Sequence, residues 1–308
     1  MILGGDLGGT KTLLALAEQD AAGRIRIVRQ QRFASADYLA FETMLGEFLA
    51  DAAPVDSACF GVAGPTDGHR ATLTYLPWHL SAAELGRRFA IPRVTLANDF
   101  AAAAHGLPLL EPEHIITLLA GQPIEHAPRV ILGAGTGLGV AGLIREALGY
   151  RVIAGEGGHI GFSPQTAQQG ELWHWLLDRN GRVTSEDIVS GPGLERIHAF
   201  LGGRPRQASE IGQAALAGTD RLASATLDLW LACYGAFAGD LALHWLARGG
   251  VYLAGGMAAK LMSGADSRPF IHAFLAKREH SGLMKDVPVF LITAEDLGLR
   301  GALALAIA

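Results

Sequence analysis

The chain has 308 residues, half of them hydrophobic, which is enough for full cores in two domains or one large one. Its formal net charge is −5 and no basic stripe is visible, which argues against nucleic acid as the main partner. Only Cys59 and Cys233 occur, so neither a zinc set nor a disulfide framework is available, and a reducing cytosol fits.

The first half opens with three strand-like segments, Ile2 to Gly5, Thr12 to Ala17 and Arg24 to Gln31, the last two joined by a turn at Ala21-Ala22-Gly23. A helix is expected from about Tyr38 to Ala52, with Leu45, Phe48 and Leu49 at helical spacing and Asp37 as its N-cap. Ser57 to Val62 reads as a buried strand, and Val94 to Leu96 as a short one ending in Asn98-Asp99 before the alanine-rich helix Phe100 to Gly106. The second half repeats the plan with strands at Val130 to Leu132, Leu138 to Ile144 and Tyr150 to Ala154. Helices dominate from Gly170 to Arg248, followed by strands at Val251 to Leu253 and Val289 to Ile292 and an apolar helix, Leu299 to Ala308. Three strands, a helix and a strand in each half imply an α/β protein with two mixed sheets. The break is expected near Leu110-Glu111-Pro112.

The longest apolar stretch, Leu229 to Ala247, contains Asp240, Gly235 and Gly239 and reads as a buried helix rather than a membrane span. The first glycine turn begins at Gly4 and leaves no room for a signal peptide, so a soluble cytoplasmic protein is expected. Glycine numbers 40, well above the usual ~7%, and the excess sits in short turns between apolar runs.

Two of those turns correspond. Asp6-Leu7-Gly8-Gly9-Thr10 and Gly133-Ala134-Gly135-Thr136-Gly137 each leave one apolar run and enter another. Strands meeting at such a turn point backbone N–H groups together, a nest for phosphate oxygens, and a Cβ would block the close approach. Their repetition suggests a duplicated domain that grips one polyphosphate from both sides. Gly4 to Gly9 has P-loop spacing, but Thr10 stands where lysine must follow and a strand, not a helix, comes next, so a Walker A loop is rejected. The glycines at 133, 135, 137 and 139 likewise do not make a dinucleotide fingerprint.

Polar candidates gather in three places. Asn98-Asp99 lies between a strand and a helix, at the sheet end where ligands bind, although an N-cap accounts for it equally well. The helix dipole holds such an acid's pKa low, which counts against a general base, though less so in phosphoryl transfer, where the carboxylate mainly orients the hydroxyl and takes its proton late. In Gly155-Glu156-Gly157-Gly158-His159-Ile160-Gly161, glycines strip away the neighbours that would bury Glu156 and His159, so the loop offers both to a ligand. Glu186 follows Val183-Thr184-Ser185 at the start of a helix-like stretch and, taken alone, reads as a first-turn capping acid. Ser190-Gly191-Pro192-Gly193 turns into the next helix. Asn98, Asp99, Glu156, His159 and Glu186 together suit a polyol, whose hydroxyls both donate and accept. No Ser or Cys nucleophile stands beside a base, which counts against hydrolase chemistry.

Asp6-Leu7-Gly8-Gly9-Thr10, Ala97-Asn98-Asp99-Phe100, Gly133 to Gly139, Gly155-Glu156-Gly157-Gly158-His159 and Ser190-Gly191-Pro192-Gly193 occur in this order in bacterial glucokinases of the Escherichia coli type, which the chain resembles from Gly4 to about Gly301. The resemblance implies a duplicated ribonuclease-H-like, actin-like ATPase fold with ATP and glucose in an interdomain cleft. It implies a small N-terminal domain, 1–110, joined by the closing helix at about 297–308, and a large domain, 111–296. Asp99 would be the catalytic base for the sugar 6-hydroxyl, with Asn98, Glu156, His159 and Glu186 on the other hydroxyls. Gly8, Gly9, Thr10, Gly135, Thr136 and Gly137 would hold phosphates, Asp6 would orient Mg²⁺ through water, and Gly255 and Gly256 would lie under the adenosine. The reaction would open glycolysis in the cytoplasm, with a homodimer as the family's state and neither membrane nor nucleic acid as partner.

Lys11 stands where these glucokinases carry Asn and gives the Gly-Gly-Thr-Lys of ROK sugar kinases, but those bear a cysteine-rich zinc motif after the Glu-x-Gly-His loop, and only Cys233 lies downstream here. Tyr75 replaces the usual Asn of Thr74-Tyr75-Leu76-Pro77-Trp78, which leaves a mannose, fructose or glucosamine kinase as the alternative. A non-catalytic sugar sensor on the same fold would carry an N-terminal helix-turn-helix, whereas this sequence begins directly with the phosphate turn.

Overall fold

The structure is a computed structural model and describes residues 1–20, 24–74, 76–147 and 149–307. The expected turn at Ala21-Ala22-Gly23, Tyr75, and Ala308 at the end of the closing helix lie outside these residues. Two compact units result, Met1–Glu111 with Ala294–Ala308, and Pro112–Thr293.

The first unit runs β1 (Ile2–Leu7), β2 (Lys11–Gln19), β3 (Ile25–Ala34), α1 (Phe41–Leu49), β4 (Ser57–Val62), β5 (Arg70–Thr72), β6 (His79–Ser81), α2 (Ala82–Phe89), β7 (Arg93–Asn98) and α3 (Asp99–Gly106), then receives the closing helix Leu297–Ile307. Its five-stranded sheet has the order β3-β2-β1-β4-β7. Antiparallel pairs join β3 to β2 and β2 to β1, and parallel pairs join β1 to β4 and β4 to β7. Strand side chains alternate between faces, and that period sorts the core into two layers. Leu3, Leu7, Leu14 and Leu16 join Phe41, Met44, Leu45 and Phe48 of α1. Ile2, Leu13, Ala15 and Ala17 face the other way and pack on Leu299, Leu303 and Ala306 of the closing helix. Close approach there needs glycine: a Cβ at Gly4 would lie 2.6 Å from Leu303 Cγ, and one at Gly301 only 1.7 Å from Ala102 O.

Three expectations for this unit need correction. Helix α1 begins at Phe41, not Tyr38, and its N-cap is Ala40 with no side-chain bond. Asp37 sits instead in a 3-10 turn, Ser35–Asp37, and Tyr38 is extended with its carbonyl accepting from Trp78 Nε1. The segment is taken up by contacts with distant residues, which outweigh its helical spacing. Strands β5 and β6 and helix α2 were not expected at all. Three-residue strands show no period, and α2 carries Glu84, Arg87 and Arg88 with only Ala82 and Leu85 buried. Helix α2 does carry a local start signal, since Ser81 Oγ accepts from the Glu84 N–H.

The second unit runs β8 (Ile115–Leu119), β9 (Arg129–Ala134), β10 (Leu138–Glu146), β11 (Gly149–Gly155), α4 (Ala167–Asn180), α5 (Gly191–Phe200), α6 (Ala208–Leu216), α7 (Arg221–Trp245), β12 (Gly250–Ala254), α8 (Gly256–Met262), α9 (Arg268–Leu275), α10 (Ser281–Asp286) and β13 (Val289–Ile292). Its sheet has the order β11-β10-β9-β12-β13-β8. The first five strands repeat the first unit's pattern, with two antiparallel pairs followed by two parallel ones. This is the duplicated actin-like arrangement with mixed sheets. Strand β8, unexpected from sequence, pairs antiparallel with β13 at the sheet's edge. Helix α7 is buried over most of its length, and its Asp240 is ion-paired with the buried Lys277 at 2.5 Å. Among the described residues no helix is long and apolar enough to cross a membrane.

Candidate functional site

In the first unit the glycine turn links β1 to β2. Gly8 N–H donates to Lys11 O at 3.0 Å, which closes the turn, while Gly8 and Gly9 are half-buried and Thr10 is exposed. Behind it stands Ser35. Its hydroxyl donates to Gly8 O at 2.7 Å and lies 3.0 Å from Thr12 Oγ1, and its N–H donates to Thr10 O at 3.2 Å. Asn98 ends β7 and caps α3, its Oδ1 accepting from the N–H groups of Phe100 and Ala101 at 3.0 and 3.1 Å. The helix therefore starts at Asp99, one residue earlier than the sequence suggested. Asp99 is half-buried, and its Oδ1 accepts from the Phe100 N–H at 2.9 Å. In the sheet register Leu7 pairs with Val62, and Val62 with Asn98. Turn and acid therefore share the carboxyl end of the parallel strands, two strand spacings or roughly 10 Å apart. Gly61 lies between them: a Cβ there would meet Gly5 O at 3.6 Å and Asp99 Cα at 3.7 Å.

Asp6 precedes the turn. Part of the residue is accessible, yet protein surrounds its carboxyl group, and burial raises its pKa to about 6 against a smaller opposing pull from Lys11. The closing helix passes so near that a Cβ at Gly298 would stand 2.9 Å from Asp6 Oδ2. A buried acid with its charge so poorly compensated fits a nearby cation. Among the described residues no group of three or more His, Cys, Asp or Glu could hold a metal ion. A hard divalent cation at Asp6 would therefore keep waters and take its remaining oxygens from a bound phosphate chain, the habit of Mg²⁺. Lys11 Nζ lies 3.9 Å from Glu295 Oε2, which also accepts from Arg32.

In the second unit the turn between β9 and β10 is closed by Gly135 N–H donating to Gly137 O at 2.8 Å, with Thr136 exposed. Three further pieces converge on it. Glu186 Oε2 accepts from the Leu138 N–H at 2.7 Å. Gly191, the first residue of α5, donates its N–H to Gly135 O at 2.9 Å. Gly255, at φ 91°, lies where a Cβ would be 2.5 Å from Ala134 O, whereas Gly256 is exposed with open space around it. Glu156 precedes a 3-10 turn, Gly157–His159, that ends in His159, and both residues are exposed. Gly158 between them is buried, and a Cβ there would fall 1.9 Å from Leu138 O. The loop thus rests directly on the residue that follows the turn.

Glu186 is half-buried in a turn, not a helix. The capping pair anticipated around it is made by its neighbours: Asp187 Oδ2 accepts from the Thr184 N–H at 2.9 Å, and Thr184 Oγ1 accepts from the Asp187 N–H at 3.2 Å. Within each unit the structure therefore gathers the expected residues: Asp6, Gly8 to Thr10, Asn98 and Asp99 in one, and Gly135 to Gly137, Glu156, His159, Glu186 and Gly255 in the other. Sequence reasoning missed Ser35, Thr12 and Gly298, and it read Ser190 only as a turn residue. Ser190 Oγ donates to Glu186 O at 2.7 Å and accepts from the Gly193 N–H at 3.0 Å. A Ser-x-x-Gly at the start of a helix could have flagged that cap. No local pattern marks Ser35 or Gly298.

A family model described as Glucokinase matches residues 3–308. A glucokinase of Trichormus variabilis is 36% identical over 333 aligned residues, covering 98% of this chain and 97% of its own length. The crystal structure of a glucokinase from an Antarctic psychrotroph superposes with a TM-score of 0.84 at 32% identity, covering 99% of this chain and 98% of that one. A ROK family glucokinase from Streptomyces griseus, solved with glucose and AMPPNP, shares the fold at a TM-score of 0.66 and 22% identity, with 99% of each chain covered.

Proposed function

The chain belongs to the glucokinase family and phosphorylates glucose, and we propose that it does so with Mg·ATP as donor and Asp99 as the base. The observation that carries this reading is the placement of Asn98-Asp99 on the same sheet end as the Gly8-Gly9-Thr10 turn, within one unit. In that unit the turn holds phosphate oxygens through its amides other than the Gly8 N–H, which is committed to Lys11 O, and Asp99 orients the sugar 6-hydroxyl and accepts its proton late in a loose transition state. Asn98, with its side-chain oxygen committed to the helix cap, keeps its amide N–H groups for the sugar. In the other unit Gly135, Thr136 and Gly137 hold phosphate, Gly255 and Gly256 lie under the adenosine, and Glu156, His159 and Glu186 take sugar hydroxyls. Mg²⁺, reached from Asp6 through water, supplies neutralisation of the charge on the phosphates. The donor assignment is supported by the AMPPNP held by the Streptomyces griseus protein.

The two units would serve as the small and large domains of such a kinase, in a cytoplasmic homodimer; light scattering after size exclusion tests the dimer. For the reaction itself, ADP release with Mg·ATP is measured against glucose, mannose, fructose and glucosamine, for wild type and Asp99→Ala side by side. Glucose-dependent release should fall by ~10²-fold or more in the variant, the range of general-base losses. Near-normal turnover would remove Asp99 from its role, and preference for another hexose would overturn the substrate.

A further inference from the structure

We infer that Glu186 is a positioning residue for the nucleotide as well as a sugar ligand, coupling the two sites through the Gly135-Thr136-Gly137 turn. The inference rests on the proposed function and adds to it a route by which one substrate changes the affinity for the other. All the parts lie in the second unit.

Glu186 is held at three points. Its N–H donates to Gly158 O at 2.9 Å, in the loop that carries Glu156 and His159. Its carbonyl accepts from Ser190 Oγ at 2.7 Å, and the N–H of the next residue, Gly191, donates to Gly135 O. Its carboxylate accepts from the Leu138 N–H at 2.7 Å, through Oε2 alone. The hydrogen-bonded path from Gly158 through Glu186 and Ser190 thus returns to both ends of the phosphate turn. Packing closes the remaining gap, because Gly158 lies against Leu138 O with no room for even a methyl group. Neither the sugar loop nor the turn can shift without displacing the other.

The carboxylate supplies the chemical link between the two sites. A hydrogen bond to a carboxylate from a backbone N–H is among the stronger kinds, and here it fixes the first residue after the turn. Oε1 has no partner among the described residues and is the oxygen left for a sugar hydroxyl. A hydroxyl donating there orients the group and changes the charge that Oε2 presents to Leu138, so filling the sugar site alters how firmly the turn is held. Linkage then requires the reverse: phosphate on the turn changes sugar affinity by the same factor.

Titration calorimetry of AMPPNP with Mg²⁺, with and without glucose, tests this on wild type, Glu186→Ala and Glu186→Gln. A residue that is only a sugar ligand leaves AMPPNP affinity in the absence of sugar unchanged. A tether does not: Glu186→Ala should weaken sugar-free AMPPNP binding about tenfold, as expected for a lost hydrogen bond to a charged group. Glu186→Gln keeps an oxygen for Leu138 N–H and should stay within about threefold of wild type. The factor by which glucose changes AMPPNP affinity should approach one in Glu186→Ala and survive in part in Glu186→Gln. If Glu186→Ala does not fold, Glu186→Asp, too short to reach Leu138 from the same backbone, is read in its place. Sugar-free affinity within about twofold of wild type in the shortened variants overturns the tether while leaving the kinase reading intact. Failure of wild type to bind AMPPNP overturns both.

Discussion

Ser35→Ala tests whether the first glycine turn owes its shape to a buried hydroxyl behind it. Ser35 and Thr12 are both fully buried, and the Ser35 proton is committed to Gly8 O at 2.7 Å. The contact between the two hydroxyls at 3.0 Å must then use the Thr12 proton. Removing Ser35 Oγ costs the bond to Gly8, about 1 kcal/mol, and leaves the Thr12 hydroxyl as a buried donor without an acceptor, a further ~1–3 kcal/mol. A total of about 2–4 kcal/mol corresponds to a fall in Tm on the order of 10 °C for a domain of this size. Thr12→Val leaves the Ser35–Gly8 bond in place and should cost only about 1 kcal/mol. The double variant removes both hydroxyls, strands neither, and should be less destabilised than the sum of the singles by about 1 kcal/mol. Calorimetric melts give these values, and initial rates at varied ATP give the functional half: KM for ATP rises several-fold in Ser35→Ala while glucose KM moves less. A Tm within a degree of wild type with an unchanged ATP KM, or Thr12→Val costing more than Ser35→Ala, would refute the reasoning.

Three other outcomes follow from particular contacts. Because burial raises the Asp6 pKa to about 6, the folded protein holds that proton more tightly than the unfolded chain. The resulting destabilisation is absent below about pH 4, grows as pH rises and levels off above about pH 6 at roughly 3 kcal/mol. In EDTA, Asp6→Asn should therefore resist urea better than wild type at about pH 7.5 and match it near pH 4; equal midpoints at the higher pH would contradict the burial. Cys59 is buried with its thiol pushed up to about 12, and Cys233 is pushed higher still, so neither should react with a thiol reagent at about pH 8 until the protein is unfolded. Gly301→Ala would drive a methyl group into Ala102 O, and over-packing of ~1–3 kcal/mol or more should lower Tm by several degrees. An unchanged melt would mean that the closing helix does not approach α3 as described.

What the sequence made legible was whatever a short window carries. Ser57–Val62 and Val289–Ile292 are continuous apolar runs between turns, and both strands appear with the expected ends. The positions of the glycine turns were legible for a similar reason, since each turn is built from consecutive residues and closed by a local bond. Asn98 announced the start of α3 because capping acts over three residues. What failed was non-local. Ser35 reaches Gly8 across 27 residues, Glu186 reaches Leu138 across 48, and Gly298 approaches Asp6 from the far end of the chain. The misplaced start of α1 has the same origin, with Trp78 and the Ser35 turn claiming residues whose own spacing is helical. The three-residue strands β5 and β6 are too short to show any period.

The two supports behind the two turns differ in a way that bears on control. If the turns hold phosphate as proposed, a bare glycine turn would lose backbone freedom on binding, and in each unit a side chain from elsewhere in the sequence reduces that cost beforehand. In the first unit the support is a neutral hydroxyl pair sealed from solvent, with every proton assigned inside the protein. Nothing that binds can reach it, so its effect on the turn is constant. In the second unit the support is a half-buried carboxylate with one oxygen on Leu138 and the other in reach of a ligand. An equilibrium can be shifted only by a ligand that interacts differently with its two states, and only the second support offers such an interaction. The fold thus carries two glycine turns of similar design, and on the proposed assignment the residue type behind each one decides which of them can answer to sugar.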